Sequence, residues 1–218
     1  MNDQIKTRLK RTAALAVIAL IIGVGVGYYQ VRMDGVRVVR PDSKPANEEG
    51  IMNIAGLQVG GPFALVNEEG EKVSEKTYEG QYKLVFFGFT FCPDVCPAEL
   101  QKMAKVLDEL GPRAERITPL FVTVDPARDT PAVMKEYTEQ FDDRIIGLTG
   151  TEEQVDHMEK NFRVFAARAE DENLDDYTMN HSSFTYLMGP KDEFLGLYRS
   201  EDAAPDIAAD IQKKLGQN

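Results

Sequence analysis

Tyr82-Lys-Leu-Val-Phe-Phe-Gly-Phe89 runs straight into Thr90-Phe-Cys92-Pro-Asp-Val-Cys96-Pro97, and Ala98 to Leu110 follows with Leu100, Met103, Ala104, Leu107 and Leu110 at helical spacing. A run this apolar reads as a strand buried on both faces of a sheet. The segment after Pro97 reads as a helix that Gly111 stops. Strand, polar turn, helix is the reading, and the chain's two cysteines occupy the turn. Pro97 suits the first helical position, which makes Cys96 the N-cap. There the free amides and the helix dipole favour a thiolate, the form that attacks disulfides and binds metals.

Outward from that turn, strands and helices alternate. Phe63 to Val66 and Lys72 to Ser74 read as a small hairpin around Asn67-Glu-Glu-Gly70. Ile117 to Val124 is a strand, Thr130-Pro131 opens a helix to about Phe141, and Ile145 to Leu148 is a short strand. Thr151-Glu-Glu-Gln154 is a capping box opening a helix with Val155, Met158 and Phe162 on one side. Val164 to Arg168 leads into an acidic loop, Glu170 to Asp176. Ser183 to Met188 pairs with Phe194 to Tyr198, and Pro205 to Leu215 closes the chain as a helix. This order predicts an α/β, thioredoxin-like fold with an N-terminal β-hairpin extension. A right-handed crossover sets strands 82–89 and 117–124 side by side and parallel, bringing Cys92 and Asp125 to one rim. A hairpin strand 183–188 lying antiparallel beside 82–89 carries His181 to that same rim, where open α/β sheets bind ligands.

The chain has 218 residues, a hydrophobic fraction of 43% and a net charge of −11. Ala13 to Tyr29 holds no charged residue and follows Lys6, Arg8, Lys10 and Arg11. At ~1.5 Å per residue, residues 13–31 suit one transmembrane helix. The expected organisation is a cytoplasmic tail at 1–12, the anchor at 13–31, a linker at 32–53 and the thioredoxin-like domain at 54–218. Basic residues weigh towards the first flank, which puts the domain in the periplasm, tethered to a bacterial inner membrane. Residues 1–40 hold seven basic and two acidic side chains, so 18 basic and 34 acidic ones remain beyond them, a net charge of −16. Such a domain repels nucleic acid.

Two thiolates and an imidazole, from Cys92, Cys96 and His181, form a soft donor set suited to Cu(I), and to Cu(II) when an oxygen joins them. Zinc fits if a carboxylate or water completes a tetrahedron. The cysteines alone could instead work as a redox pair. A structural staple is the poorest reason for the pair, because so short a loop gains little from closure. In Asp125-Pro-Ala-Arg128-Asp129-Thr130 the carboxylates of Asp125 and Asp129 either orient a ligand from behind or cap the turn and pair with arginine. His157, on an amphipathic helix, reads as solvated, and Met179 could join the site.

Gly60-Gly-Pro-Phe63, Phe87-Gly-Phe-Thr-Phe-Cys-Pro-Asp-Val-Cys-Pro97, Val124-Asp-Pro-Ala-Arg-Asp-Thr130, Gly147-Leu-Thr-Gly150 and Asn180-His-Ser182 resemble the Sco/SenC family of membrane-anchored copper proteins, over roughly residues 54–215. The resemblance implies a thioredoxin fold with an extra N-terminal hairpin. It implies copper, as Cu(I) or Cu(II), held by Cys92, Cys96 and His181, and a role in maturing the dinuclear copper centre of cytochrome c oxidase subunit II. The expected function is a metallochaperone, fed by an upstream copper donor and serving the oxidase subunit or another copper protein. The alternative is a thiol-disulfide oxidoreductase with Cys92 and Cys96 as its redox pair, which leaves open whether the chain is an enzyme. Asn180 stands where many relatives have Asp, a departure that touches the surroundings of the histidine rather than the ligands.

Overall fold

The computed structural model describes residues 58–170 and 177–216. The tail, the anchor at 13–31, the linker at 32–53 and residues 171–176 of the acidic loop lie outside them. Strands β1 (Ala64–Asn67) and β2 (Lys72–Ser74) form the N-terminal hairpin, turned by Asn67, whose side-chain oxygen accepts the amides of Glu69 and Glu71. The apolar run becomes β3 (Tyr82–Gly88), buried at every position. Helix α1 (Val95–Leu110) follows the cysteine turn, and β4 (Ile117–Thr123) pairs with β3 in parallel, Gly88 opposite Thr123. Helix α2 (Pro131–Thr138) leads to β5 (Ile146–Thr149), parallel to β4. Helix α3 (Glu152–Phe162) starts on Thr151 with both halves of the capping box formed.

Strands β6 (Ala166–Glu170) and β7 (Tyr177–His181) make a separate antiparallel ribbon, Ala166 opposite His181. Strands β8 (Thr185–Met188) and β9 (Phe194–Tyr198) then join the main sheet, and α4 (Ala204–Leu215) ends the described chain. The seven-stranded sheet has the order β2-β1-β5-β4-β3-β8-β9. Both faces of its centre are covered: Leu84 lies with Met103 of α1 and Ile207 of α4, whereas Phe87 meets Phe162 of α3 with ring centroids 5.3 Å apart. Side chains of opposite parity on a strand point to opposite faces, which is why β3 tolerates almost no polarity. This is the thioredoxin-like α/β arrangement with its hairpin extension.

Three expectations need correction. Helix α1 begins at Val95, so Asp94 is its N-cap and Cys96 lies inside the first turn. Pro97 falls later in that turn, where amides have no helical partner and a proline costs nothing. Helix α2 ends at Thr138, short of Phe141, where the backbone passes into turns closed by Gln140 N to Tyr137 O and Phe141 N to Thr138 O. Glu170, expected to open the acidic loop, instead ends strand β6, and the residues up to His181 form strand β7. Among the described residues no helix is long and apolar enough to cross a membrane.

Candidate metal centre

The end of β3 fixes the first half of the site. Gly88 carries no side chain because a β-carbon there would stand 2.7 Å from Cys96 Sγ and 2.9 Å from Phe121 Cε2. The Cys96 sulfur rests in that gap, fully buried, while Cys92 is half-exposed at the turn. His181 supplies the second half across 85 residues, its Nε2 3.6 Å from Cys96 Sγ. The donor atoms of Cys92, Cys96 and His181 all lie within 4.8 Å of one another. His181 Nδ1 is 3.1 Å from the Ser182 carbonyl. A carbonyl only accepts, so Nδ1 donates to it and Nε2 is the ring nitrogen turned towards the sulfurs. Edge-on contacts with Phe86 and Phe89, at 6.2 and 5.7 Å between centroids, hold the ring in that plane.

The thiols differ sharply. Cys92 is lowered to about 3, chiefly by the hydrogen bond from the Cys96 thiol, helped by His181 and the amides of Cys96 and Asp94, against burial. Cys96 N donates to Cys92 Sγ at 3.4 Å, so the start of α1 stabilises Cys92 and not its own cysteine, contrary to the expectation for Cys96. The same sulfur contact, with burial and the charge on Cys92, pushes Cys96 up. The reduced pair therefore holds one proton at neutral pH, on Cys96. A metal that binds both sulfurs must expel it, and raising the pH removes the competitor. Cu(I) affinity is expected to rise about tenfold per pH unit between about pH 7 and 8. Competition titrations against a chromophoric Cu(I) chelator check this; a hundredfold rise per unit would mean that both sulfurs start as thiols.

Asp125 and Asp129 make no hydrogen bond to a donor atom; they hold the segments that carry the donors. Asp129, fully buried, accepts the Thr90 amide at 3.2 Å and the hydroxyls of Thr90 and Thr123 at 2.6 Å. Burial pushes its carboxyl up and those hydroxyls pull it back. It thus ties the cysteine turn to β4. Asp125 pairs with Arg128 and accepts the Tyr177 hydroxyl at 2.8 Å, while Arg128 Nη1 donates to the Tyr177 carbonyl at 2.9 Å. That cluster secures the start of β7, the strand that ends at His181.

A family model described as SCO1/SenC matches residues 52–216. The chain belongs to the SCO1/SenC family. It is 41% identical over 155 residues to the mitochondrial SCO1 homolog of Homo sapiens, across 70% of this chain but only 52% of that relative, about half its length. It is 37% identical over 212 residues to Protein SenC of Rhodobacter capsulatus, covering 96% of this chain and 90% of the relative. The crystal structure of Arabidopsis thaliana ScoI with copper bound superposes with a TM-score of 0.70 at 35% identity, covering 73% of this chain and 99% of that one.

In this SCO1/SenC chain the sequence reading missed the stacking of Arg128 over Tyr177 and Phe91, with its guanidinium 3.9 and 4.6 Å from the ring centroids. It also missed Glu159, which burial, with Asp156 beside it, raises to about 7, partly offset by His181. Its one signal was a carboxylate on the margin of the apolar face of α3. Met179 lines a cleft with Val155 and Glu159. His157 is exposed and lies 3.3 Å from the Asn161 amide. Asn180 is exposed; as the neighbour of His181 in a strand, it points to the opposite face.

Proposed function

We propose that this protein is a membrane-anchored copper metallochaperone. Cys92, Cys96 and His181 capture copper from an upstream donor and pass it to cytochrome c oxidase subunit II, to help build its dinuclear copper centre. The observation that carries this reading is the convergence of two sulfurs and an imidazole nitrogen within 4.8 Å, from segments 85 residues apart. Two soft sulfurs and one nitrogen suit Cu(I), and a half-exposed Cys92 leaves a side open for an incoming donor. The charge-free stretch at 13–31 is the proposed anchor, and the periplasm the proposed compartment.

The test loads the full chain with one copper and mixes it with the apo copper domain of oxidase subunit II. Copper is expected to appear on the acceptor; copper that stays on the donor chain overturns the reading. Retention in carbonate-washed membranes, lost when residues 13–31 are deleted, checks the anchor.

The free thiols favour a second reading, as a thiol-disulfide reductase. The Cys92 thiolate attacks one sulfur of a target disulfide and releases the other as a thiolate. Cys96, losing its proton, then attacks the Cys92 sulfur and frees the second target thiol, so two electrons leave the chain as a Cys92–Cys96 disulfide forms. Reduction that is metal-free and indifferent to His181→Ala distinguishes it. The roles are compatible, since reduced target thiols are what copper needs.

A further inference from the structure

Among the described residues three large apolar side chains stand in solvent: Phe91 at 60% exposure, Phe165 at 62% and Val95 at 36%. Phe91 precedes Cys92 and Val95 precedes Cys96. Phe165 is tied to the residue after His181 twice, through Ser182 N to its carbonyl at 2.9 Å and its own amide to Ser182 Oγ at 3.1 Å. The cysteine turn and the start of α1 thus display two exposed apolar side chains next to their donors, and the third stands on the neighbouring segment hydrogen-bonded to the residue after His181. Single exposed apolar residues need no account; three placed around one site do. The Phe91 ring is also held in place by the Arg128 guanidinium against it, and the backbone of Phe165 by its two hydrogen bonds to Ser182. Aromatic anchors fixed in advance lose little entropy on binding and make interface hot spots.

Beside Phe165, β6 and α3 border a cleft of about 290 Å³ whose charged lining is Asp125, Glu152, Asp156, Glu159 and Arg168. Arg128 takes Asp125, Arg168 takes Glu152 and Lys160 takes Asp156. Among the described residues Glu159 has no cation in ion-pair contact, and Lys160 and His181 act on it only from farther off. We infer that the collar of Phe91, Val95 and Phe165, with this acidic flank, is the docking surface for an acceptor polypeptide. Its metal-site loop is apolar, offers a sulfur or imidazole donor, and is bordered by a lysine or arginine that enters the cleft. This rests on the metallochaperone reading. Copper moves by exchange: one bond to the acceptor forms for each bond to Cys92, Cys96 or His181 that breaks, and its oxidation state is unchanged. A net charge of −16 beyond residue 40 sets the domain against the other object that exposed phenylalanines meet, an anionic lipid surface.

The test compares copper-loaded full chains, wild type and Phe91→Ser/Phe165→Ser, delivering to the acceptor domain named above. Both are expected to hold one copper with the same sulfur-to-copper absorption. The variant is expected to transfer at least about tenfold more slowly, and the wild-type rate to fall with rising salt. Phe165→Glu repeats the comparison without touching the cysteine turn. Equal rates overturn the docking surface and leave the metallochaperone reading standing; a wild type that keeps its copper overturns both. A salt-independent rate overturns the acidic flank. Flotation with phosphatidylglycerol–phosphatidylethanolamine vesicles is expected to match for both chains. A variant that floats less yet delivers normally would place the collar on lipid and overturn the proposal.

Discussion

His181→Ala is expected to weaken copper binding by about a hundred- to a thousandfold while leaving the fold intact. Four-donor structural metal sites hold their ion with about 10–16 kcal/mol, so one donor is worth about 3–4 kcal/mol. The remaining sulfurs cannot compensate, because Cys96 is fixed in the gap above Gly88 and cannot follow the metal. The imidazole lies at the end of a ribbon outside the seven-stranded sheet and meets core rings edge-on at Phe86 and Phe89, so its removal uncovers those edges without breaking the sheet. Chelator competition measures the loss, and X-ray absorption should show one fewer nitrogen neighbour at unchanged sulfur count. An affinity within threefold of wild type would remove His181 from the site.

Asp129→Ala is expected to cost about 3–4 kcal/mol of stability, which for a domain of this size lowers the midpoint of thermal unfolding by roughly 10 °C. The substitution strands the Thr123 hydroxyl, the Thr90 hydroxyl and the Thr90 amide, each a hydrogen-bond donor whose unmade bond costs about 1–3 kcal/mol where water cannot reach it. Thr90 is only half-buried, which keeps the total towards the lower end. With its tether cut, the turn carrying Cys92 loosens, and copper affinity should fall by about ten- to a hundredfold, as when support behind a ligand is lost. Calorimetry of the apo chain reads the first effect and chelator competition the second. A variant that melts like wild type would mean that Asp129 is a bystander.

The alternation of strands and helices was legible because its signals are local. Tyr82 to Gly88 is too apolar for a half-exposed strand, and Thr151 with Gln154 spells out a helix start. The cysteine turn followed from position alone, and His181 needed only the inference that β8 lies antiparallel to β3, as it does. What escaped depends on context. Ala166-Ala-Arg-Ala-Glu170 has no β-branched or aromatic residue and resembles a helix former, so its pairing with Tyr177–His181 was invisible. Arg128 finds its rings in Phe91 and Tyr177, far along the chain in both directions, and no spacing rule records that. The distinction between the two thiols turned on where α1 begins, and a two-residue error in a helix start is enough to exchange their roles.

The β6–β7 ribbon carries a lesson about which changes of length the protein can absorb. Glu170 faces Tyr177 at one end and Ala166 faces His181 at the other, so extra residues inserted between positions 170 and 177 add to the end remote from the donor. Loss of a single residue inside Tyr177–His181 is another matter: it shifts the pairing by one step and turns the imidazole to the opposite side of the ribbon. A long insertion is thus compatible with a working protein where the smallest deletion is not.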